Sequence, residues 1–239
     1  MSGHSKWANI KHKKEKEDIK KGKVFTKLVR EITIAARDGG GDPAMNIRLR
    51  LFVDKAKAAN MPSDNITRAI KKGTGEIAGN AYESISYEGY GPHGVAVIVE
   101  ALTDNKNRTA SEVRHAFGKG GGSLGGDGSV SWMFARRGVV TLHATTKSED
   151  ELLEIFLEHN IDTIDIDENQ VRIVGEPSEL FVIKATADKA GLKVDTVQLE
   201  WIPTTFTTVT DPVAEEKVYN FLSMLDELDD VQHVFANIA

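Results

Sequence analysis

The 239-residue sequence predicts an α+β multidomain protein, an N-terminal three-helix bundle followed by two α/β portions. Three observations carry this. Apolar residues recur at helical spacing from Val24 to Gly73, the period shortens to strand alternation beyond Gly75, and residues 138–202 run strand, helix, strand, helix, strand. A chain of this length buries a substantial core, and ordinary domain size favours two or three domains over one.

The first helix follows a polar lead. Phe25, Leu28, Val29, Ile32 and Ala36 make its apolar stripe, Lys23, Lys27, Arg30 and Arg37 fall opposite, and Gly39, Gly40 and Gly41 stop it. A second helix is expected to open with Asp42 as N-cap and Pro43 at N1, to bury Leu49, Phe52, Val53 and Ala56, and to end at Asn60. A third starts near Ser63, with Ile66, Ala69 and Ile70 inward and Arg68, Lys71 and Lys72 outward. Gly73 is its expected C′ residue. Short amphipathic helices cannot each bury a face alone, so the three should pack together.

SISYEGY (84–90), the turn GPHG (91–94) and the β-rich run at 95–103 predict a hairpin. NRTASEVRHAFGK reads as a helix with Ala110, Val113, Ala116 and Phe117 on one face, and a glycine-rich loop leads to an expected strand at 129–134. Strand 138–144 opens the next block. Ser148 with Glu151 forms a capping box before a helix expected to bury Leu152, Leu153, Ile155 and Phe156. Strands at 161–166, 170–174 and 196–202 and a helix from Pro177 to Ala190, ended by Gly191, complete a pattern resembling a ferredoxin-like unit. The tail adds an expected strand TFTTVT (205–210), a helix capped at Asp211 with Pro212 at N1, and a last strand, VQHVFANI.

Composition removes several kinds of chemistry. There is no cysteine, which excludes disulfides, thiolate metal sites and cysteine nucleophiles and suits a reducing, cytoplasmic setting. No apolar run is long enough to span a membrane, and no apolar stretch follows the basic N-terminus as in a secretory leader. The seven histidines include no His-x-x-x-His or HExxH pair, so no metal is expected. Asp165, Asp167, Asn169 and Glu176 match EF-hand positions 1, 3, 5 and 12, but Gln170 replaces the turning glycine and strand signals flank the match. Gly120, Gly122 and Gly125 match G-x-G-x-x-G in reversed order, helix before strand, which does not suit a dinucleotide phosphate. No cofactor is implied. No G-x-S-x-G elbow occurs, and a hydrolase with an unrecognised triad is the third-ranked reading, since triad members need not be neighbours.

The net charge of −6 conceals a division. Residues 1–75 hold 18 Lys/Arg against 8 Asp/Glu; the remaining 164 hold 12 against 28. Such an asymmetry suggests a polyanion partner for the first part only. GHSKWANIKHKK (3–14) concentrates the signal: its lysines would displace counterions from phosphates, and Trp7 and His12 could stack on bases. Read structurally, the same run is a solvated face, with Trp7 and Ile10 docked on the bundle.

GHSKWANIKHKK, GKVFTKLVREITIAARDGGGDP, NIRLRLFVDKAKAANMPSDNITRAIKKGTGE, YEGYGPHGVAVIVEALTDNKNRTASEVRHAF and DGSVSWMF together resemble the successive signatures of the YebC/PmpR family, which includes the mitochondrial translational activator of cytochrome oxidase. The match spans essentially the whole chain, densest through about residue 137. Ile47 stands where Pro is common and His93 where Gly is common, and Glu15, Glu17 and Asp18 make the arm more acidic than in relatives.

The resemblance implies three domains: residues 1–77, a discontinuous middle domain of 78–136 plus 204–239, and an inserted acidic domain at 137–203. It also implies a cytoplasmic, non-enzymatic, DNA-binding transcriptional regulator. The alternative it carries is a translation factor that binds ribosomal RNA and relieves stalling, for example at proline runs. Either partner would be gripped by Lys6, Trp7, Lys11, His12, Lys13, Lys14, Lys20, Lys21, Lys23, Lys27 and Arg30, with the acidic domains turned towards protein partners and no membrane involved.

Overall fold

In the structure, a computed structural model, residues 21–78, 81–167 and 170–239 are described. The fold is mixed α/β, with two four-stranded antiparallel sheets and seven α-helices among the described residues. It divides into two compact units: Trp132–Thr205, and the described part of Ser5–Ser131 together with Phe206–Ala239. One unit is thus inserted in the sequence of the other. No helix among the described residues is long and apolar enough to cross a membrane.

The larger unit begins with helices α1 (Lys21–Gly39), α2 (Ile47–Ala58) and α3 (Ser63–Gly73). They share a core of Ile32, Ala35 and Ala36 from α1, Leu49, Val53 and Ala56 from α2, Met61 from the connection, and Ile66 and Ala69 from α3. Each side chain of this kind, fully buried, contributes roughly 1.5–3 kcal/mol if valine-sized or larger. The expected start of α2 at Asp42 and Pro43 is corrected. Asp42 instead makes a turn, accepting from Ala44 N at 2.9 Å, and the N-cap is Asn46. Its Oδ1 accepts from Leu49 N at 3.0 Å while its Nδ2 donates to Ala35 O and Gly40 O, so one buried amide starts α2 and ties it to the end of α1. Gly73 is likewise no left-handed cap. It lies inside α3, where a Cβ would stand 2.3 Å from Thr33 O, and the positive φ of +81° falls at Gly75. Close approach of α3 to α1, rather than turn geometry, requires this glycine.

Strands β1 (Glu83–Tyr90) and β2 (Ala96–Thr103) form the expected hairpin, followed by α4 (Lys106–Lys119) and the short β3 (Ser123–Leu124), which the glycine-rich sequence hid. After the insertion come α7 (Pro212–Asp226), N-capped by Asp211 as expected, and β8 (Val231–Ala236). The sheet order is β3-β1-β2-β8. Val95, Val97 and Val99 meet Val113 and Phe117 of α4 and Val218, Phe221, Leu222 and Leu225 of α7, with Phe117 and Phe221 edge to face at 5.2 Å. The glycine loop is shaped by this packing: a Cβ at Gly120 would stand 2.3 Å from the Phe221 ring, and one at Gly122 2.5 Å from Tyr90 O. The expected strand 205–210 is reduced to a single parallel bridge, Thr207 to Ile238, because the segment meets β8 only past its end.

The inserted unit contains β4 (Phe134–His143), α5 (Glu149–Phe156), β5 (Ile161–Ile166), β6 (Gln170–Gly175), α6 (Leu180–Lys189) and β7 (Val194–Pro203). Its sheet order, β5-β6-β4-β7, is fully antiparallel and gives the βαββαβ arrangement read from the sequence. The Ser148–Glu151 capping box is present. The expected strand at 129–134 is a correction: residues 131–133 form a 3-10 turn and β4 starts at Phe134. The Glu88 carboxylate accepts from the backbone N–H groups of Gly128, Val130 and Ser131, which removes those donors from any ladder. Leu153, expected inside, is 41% exposed; Leu152 and Phe156 fill the core. Asp165 and Asp167 lie at a strand–strand hairpin, where an EF-hand needs helix–loop–helix.

Candidate nucleic-acid interface

Of the residues expected to grip a polyanion, Lys6, Trp7, Lys11, His12, Lys13, Lys14 and Lys20 lie outside the described residues, and Lys21 opens α1. The other three are placed in detail. Lys23 Nζ donates to Glu227 O at 2.8 Å, and Lys27 Nζ to Asp226 O at 3.1 Å. These carbonyls end α7, so two ammonium groups of α1 satisfy orphan acceptors and complement the negative end of the α7 dipole.

Arg30 is 8% exposed. It donates to Asp229 O and pairs with Asp230 Oδ1 at 2.7 Å. Asp230, 1% exposed, also takes Arg108 Nη2 at 2.7 Å, the Thr109 hydroxyl at 2.5 Å and the Thr103 hydroxyl at 3.1 Å. Burial opposes its ionisation most strongly, but the Thr109 and Arg108 hydrogen bonds, the Arg30 charge and the Thr103 bond together hold its pKa below the usual carboxylate range. One carboxylate in the α7–β8 turn therefore joins α1, the end of β2 and the first turn of α4. Nothing local in the sequence marks Asp230, because its partners lie more than 120 residues away.

Residues 30–36 of α1 are buried all round, although the wheel leaves one side polar. Glu31, 9% exposed, has its pKa raised by burial above all, an effect opposed by Arg48, whose Nη2 lies 3.3 Å from Glu31 Oε2, and by Lys55, and reinforced by Glu100. The outward basic face of the three helices lies elsewhere. Arg50 and Lys57 on α2 and Arg68 and Lys71 on α3 are exposed, with no carboxylate partner among the described residues. The expectation that Arg68, Lys71 and Lys72 point outward holds for Arg68 and Lys71, whereas Lys72 is half-buried.

Catalytic geometry is weaker. In the inserted unit His159 Nε2 lies 2.8 Å from Thr186 Oγ1 and Nδ1 3.4 Å from Glu179 Oε2. The constellation has the outline of a triad, but Thr186 sits within α6, where neighbouring N–H groups are committed to the helix and cannot form an oxyanion hole. No group of three or more His, Cys, Asp or Glu suited to a metal ion occurs among the described residues.

Two family models match the chain. One, described as TACO1/YebC protein N-terminal domain, covers residues 5–76, and the other, TACO1/YebC second and third domain, covers 82–238. A protein of Persephonella marina named "Probable transcriptional regulatory protein" is 50% identical over 238 residues, 99% of this chain and 95% of that one. A protein of Caldanaerobacter subterraneus subsp. tengcongensis with the same type of name is 48% identical, covering 100% of this chain and 98% of its own length. The crystal structure of a conserved hypothetical protein from Aquifex aeolicus superposes with a TM-score of 0.85 at 46% identity, covering 93% of this chain and 91% of that one.

Proposed function

The chain belongs to the TACO1/YebC family, and on that footing we propose that it is a non-enzymatic, DNA-binding transcriptional regulator that grips phosphates with its basic N-terminal region. The observation that carries the proposal is the charge division, 18 Lys/Arg against 8 Asp/Glu in residues 1–75 of a chain that is acidic overall. The regulatory names of the relatives support it.

In this reading Lys6, Lys11, Lys13, Lys14, Lys20 and Lys21 contact phosphates, and Trp7 and His12 stack on bases. Lys23 and Lys27 extend the basic line along α1, which the Arg30–Asp230 pair anchors to the rest of the unit. Residues 1–77 act as a helical nucleic-acid module, the discontinuous 78–136 plus 204–239 as its platform, and the acidic 137–203 domain offers a surface to protein partners in the cytoplasm.

The test compares binding to promoter-sized duplex under excess nonspecific competitor with cosedimentation with ribosomes. A competitor-resistant duplex complex is expected. Cosedimentation that survives moderate salt, with no such complex, would overturn the DNA reading in favour of a ribosome-associated translation factor using the same lysines on RNA. Replacing Lys11, Lys13 and Lys14 together by Ala is expected to lower the magnitude of the salt slope by about one unit per lost phosphate contact. An unchanged slope sinks the assignment of these lysines.

A further inference from the structure

We infer a second polyanion contact, separate from the arm: a phosphodiester site in the cleft between α1, α3 and the lead into β1. The inference deepens the nucleic-acid reading above and rests on it.

The cleft has a volume of about 310 Å³. Thr33 and Ile34 of α1, Gly73 at the end of α3, and Ile77 supply its walls, Arg37 and Lys72 its charge, and none of its lining residues is acidic. An anion entering it therefore meets two cations and no opposing carboxylate on the wall. The walls are firmly held, since the approach of Gly73 to Thr33 O leaves no room for a side chain between the two helices.

Both cations are oriented by Tyr82. Arg37 Nη1 donates to Tyr82 O at 2.6 Å, and Lys72 Nζ stands 4.1 Å from the centroid of the Tyr82 ring. An ammonium held by a π-face keeps the N–H groups that point away from the ring for an oxygen acceptor, and it is poised at lower entropic cost than a lysine free in solvent. The Nε of Arg37 pairs with Asp38 at 3.0 Å, which leaves Nη2 without a partner among the described residues. A guanidinium and an ammonium set side by side suit the oxygens of a phosphodiester. Arg68 and Lys71 continue the charge along the outward face of α3, one turn and one residue before Lys72, so a backbone leaving the cleft runs along a basic strip.

The test measures duplex affinity of the full chain by anisotropy over a series of salt concentrations. The triple variant R68Q/K71Q/K72Q is expected to lose about one unit of salt slope per broken contact, hence about two to three in all. R50Q/K57Q removes two exposed cations outside the cleft and is expected to leave the slope unchanged. All these positions are at the surface, and a melting temperature equal to that of the parent certifies the fold of each variant.

Equal slopes for parent and triple variant would overturn the site. So would a loss in R50Q/K57Q as large per charge as in the triple variant, because it would mean a diffuse field in place of a site. A lowered slope in the triple variant together with an unchanged slope in the Lys11, Lys13 and Lys14 variant keeps the cleft and removes the arm. Absence of duplex binding by the parent, with binding to single-stranded RNA that the triple variant weakens, keeps the site and reassigns its ligand.

Discussion

At Asp230 a carboxylate almost without solvent holds two arginines and two threonine hydroxyls. Asp230→Ala would leave Arg30 buried and unpaired, and removal of one partner from a buried ion pair costs about 3–5 kcal/mol. A fall of that size in denaturant-derived stability is the expected result. Two of the buried carboxylates, Glu31 and Asp230, have opposite pH signs. Glu31 has a raised pKa, so its charge destabilises the fold above that pKa and the cost is relieved as pH falls towards 4.5. Asp230 has a lowered pKa, so its contribution is present above 3.8 and lost as pH falls through its folded value. Thermal melts from pH 7 to 3 should therefore show a gentle gain on mild acidification and a steep loss below about pH 4. Glu31→Gln should melt above the parent at pH 7, and the difference should vanish below pH 4.5. His93, exposed at φ +61°, holds a left-handed conformation without being glycine. His93→Gly removes that cost but adds chain entropy to the unfolded state, for a net gain of about 0.5 kcal/mol, which a chemical melt can resolve. The departure at His93 was visible in the residues themselves; its backbone cost was not.

Among the elements, α1 departs furthest from a two-sided reading. Its apolar stripe was legible from Phe25 to Ala36, and those residues do pack with α2 and α3. Its polar side is expected to lie opposite that stripe and to grip a polyanion, yet Lys23, Lys27 and Arg30 reach the end of α7 and the turn beyond it. A helical wheel knows only its own helix; it has no information about an acceptor 199 or 204 residues away. The contact between α1 and α3 is set by Gly73. Gly73→Ala places a methyl group against Thr33 O and should cost about 1–3 kcal/mol through overpacking, whereas glycine to alanine at an unobstructed helical position would be stabilising. A stabilised variant would show that α3 can move away from α1, and would weaken the case for a firmly walled cleft. The capping box of α5 was readable because Ser148 and Glu151 lie three residues apart. The true N-cap of α2 was not, because Asn46 was chosen over Asp42 by carbonyls of another helix.

For the whole molecule, the charge division puts the binding prediction in the N-terminal third. A chain without residues 1–20 loses six lysines and three acidic residues. It should therefore lose most of its duplex affinity at moderate salt. If affinity persists, the cleft lined by Arg37 and Lys72 is the principal contact and the arm secondary. The sequence by itself determined the kind and order of nearly every element, the βαββαβ path of the inserted unit and the basic character of the N-terminal third, because hydrophobic period, caps and charge are local properties. Only the tertiary structure decided which cations are committed inside the protein and which are left for a ligand, that Glu88 holds the 128–131 loop away from a strand, and that Asp230 joins three distant elements. Those outcomes depend on partners brought together by folding across the chain, and no window of neighbouring residues contains them.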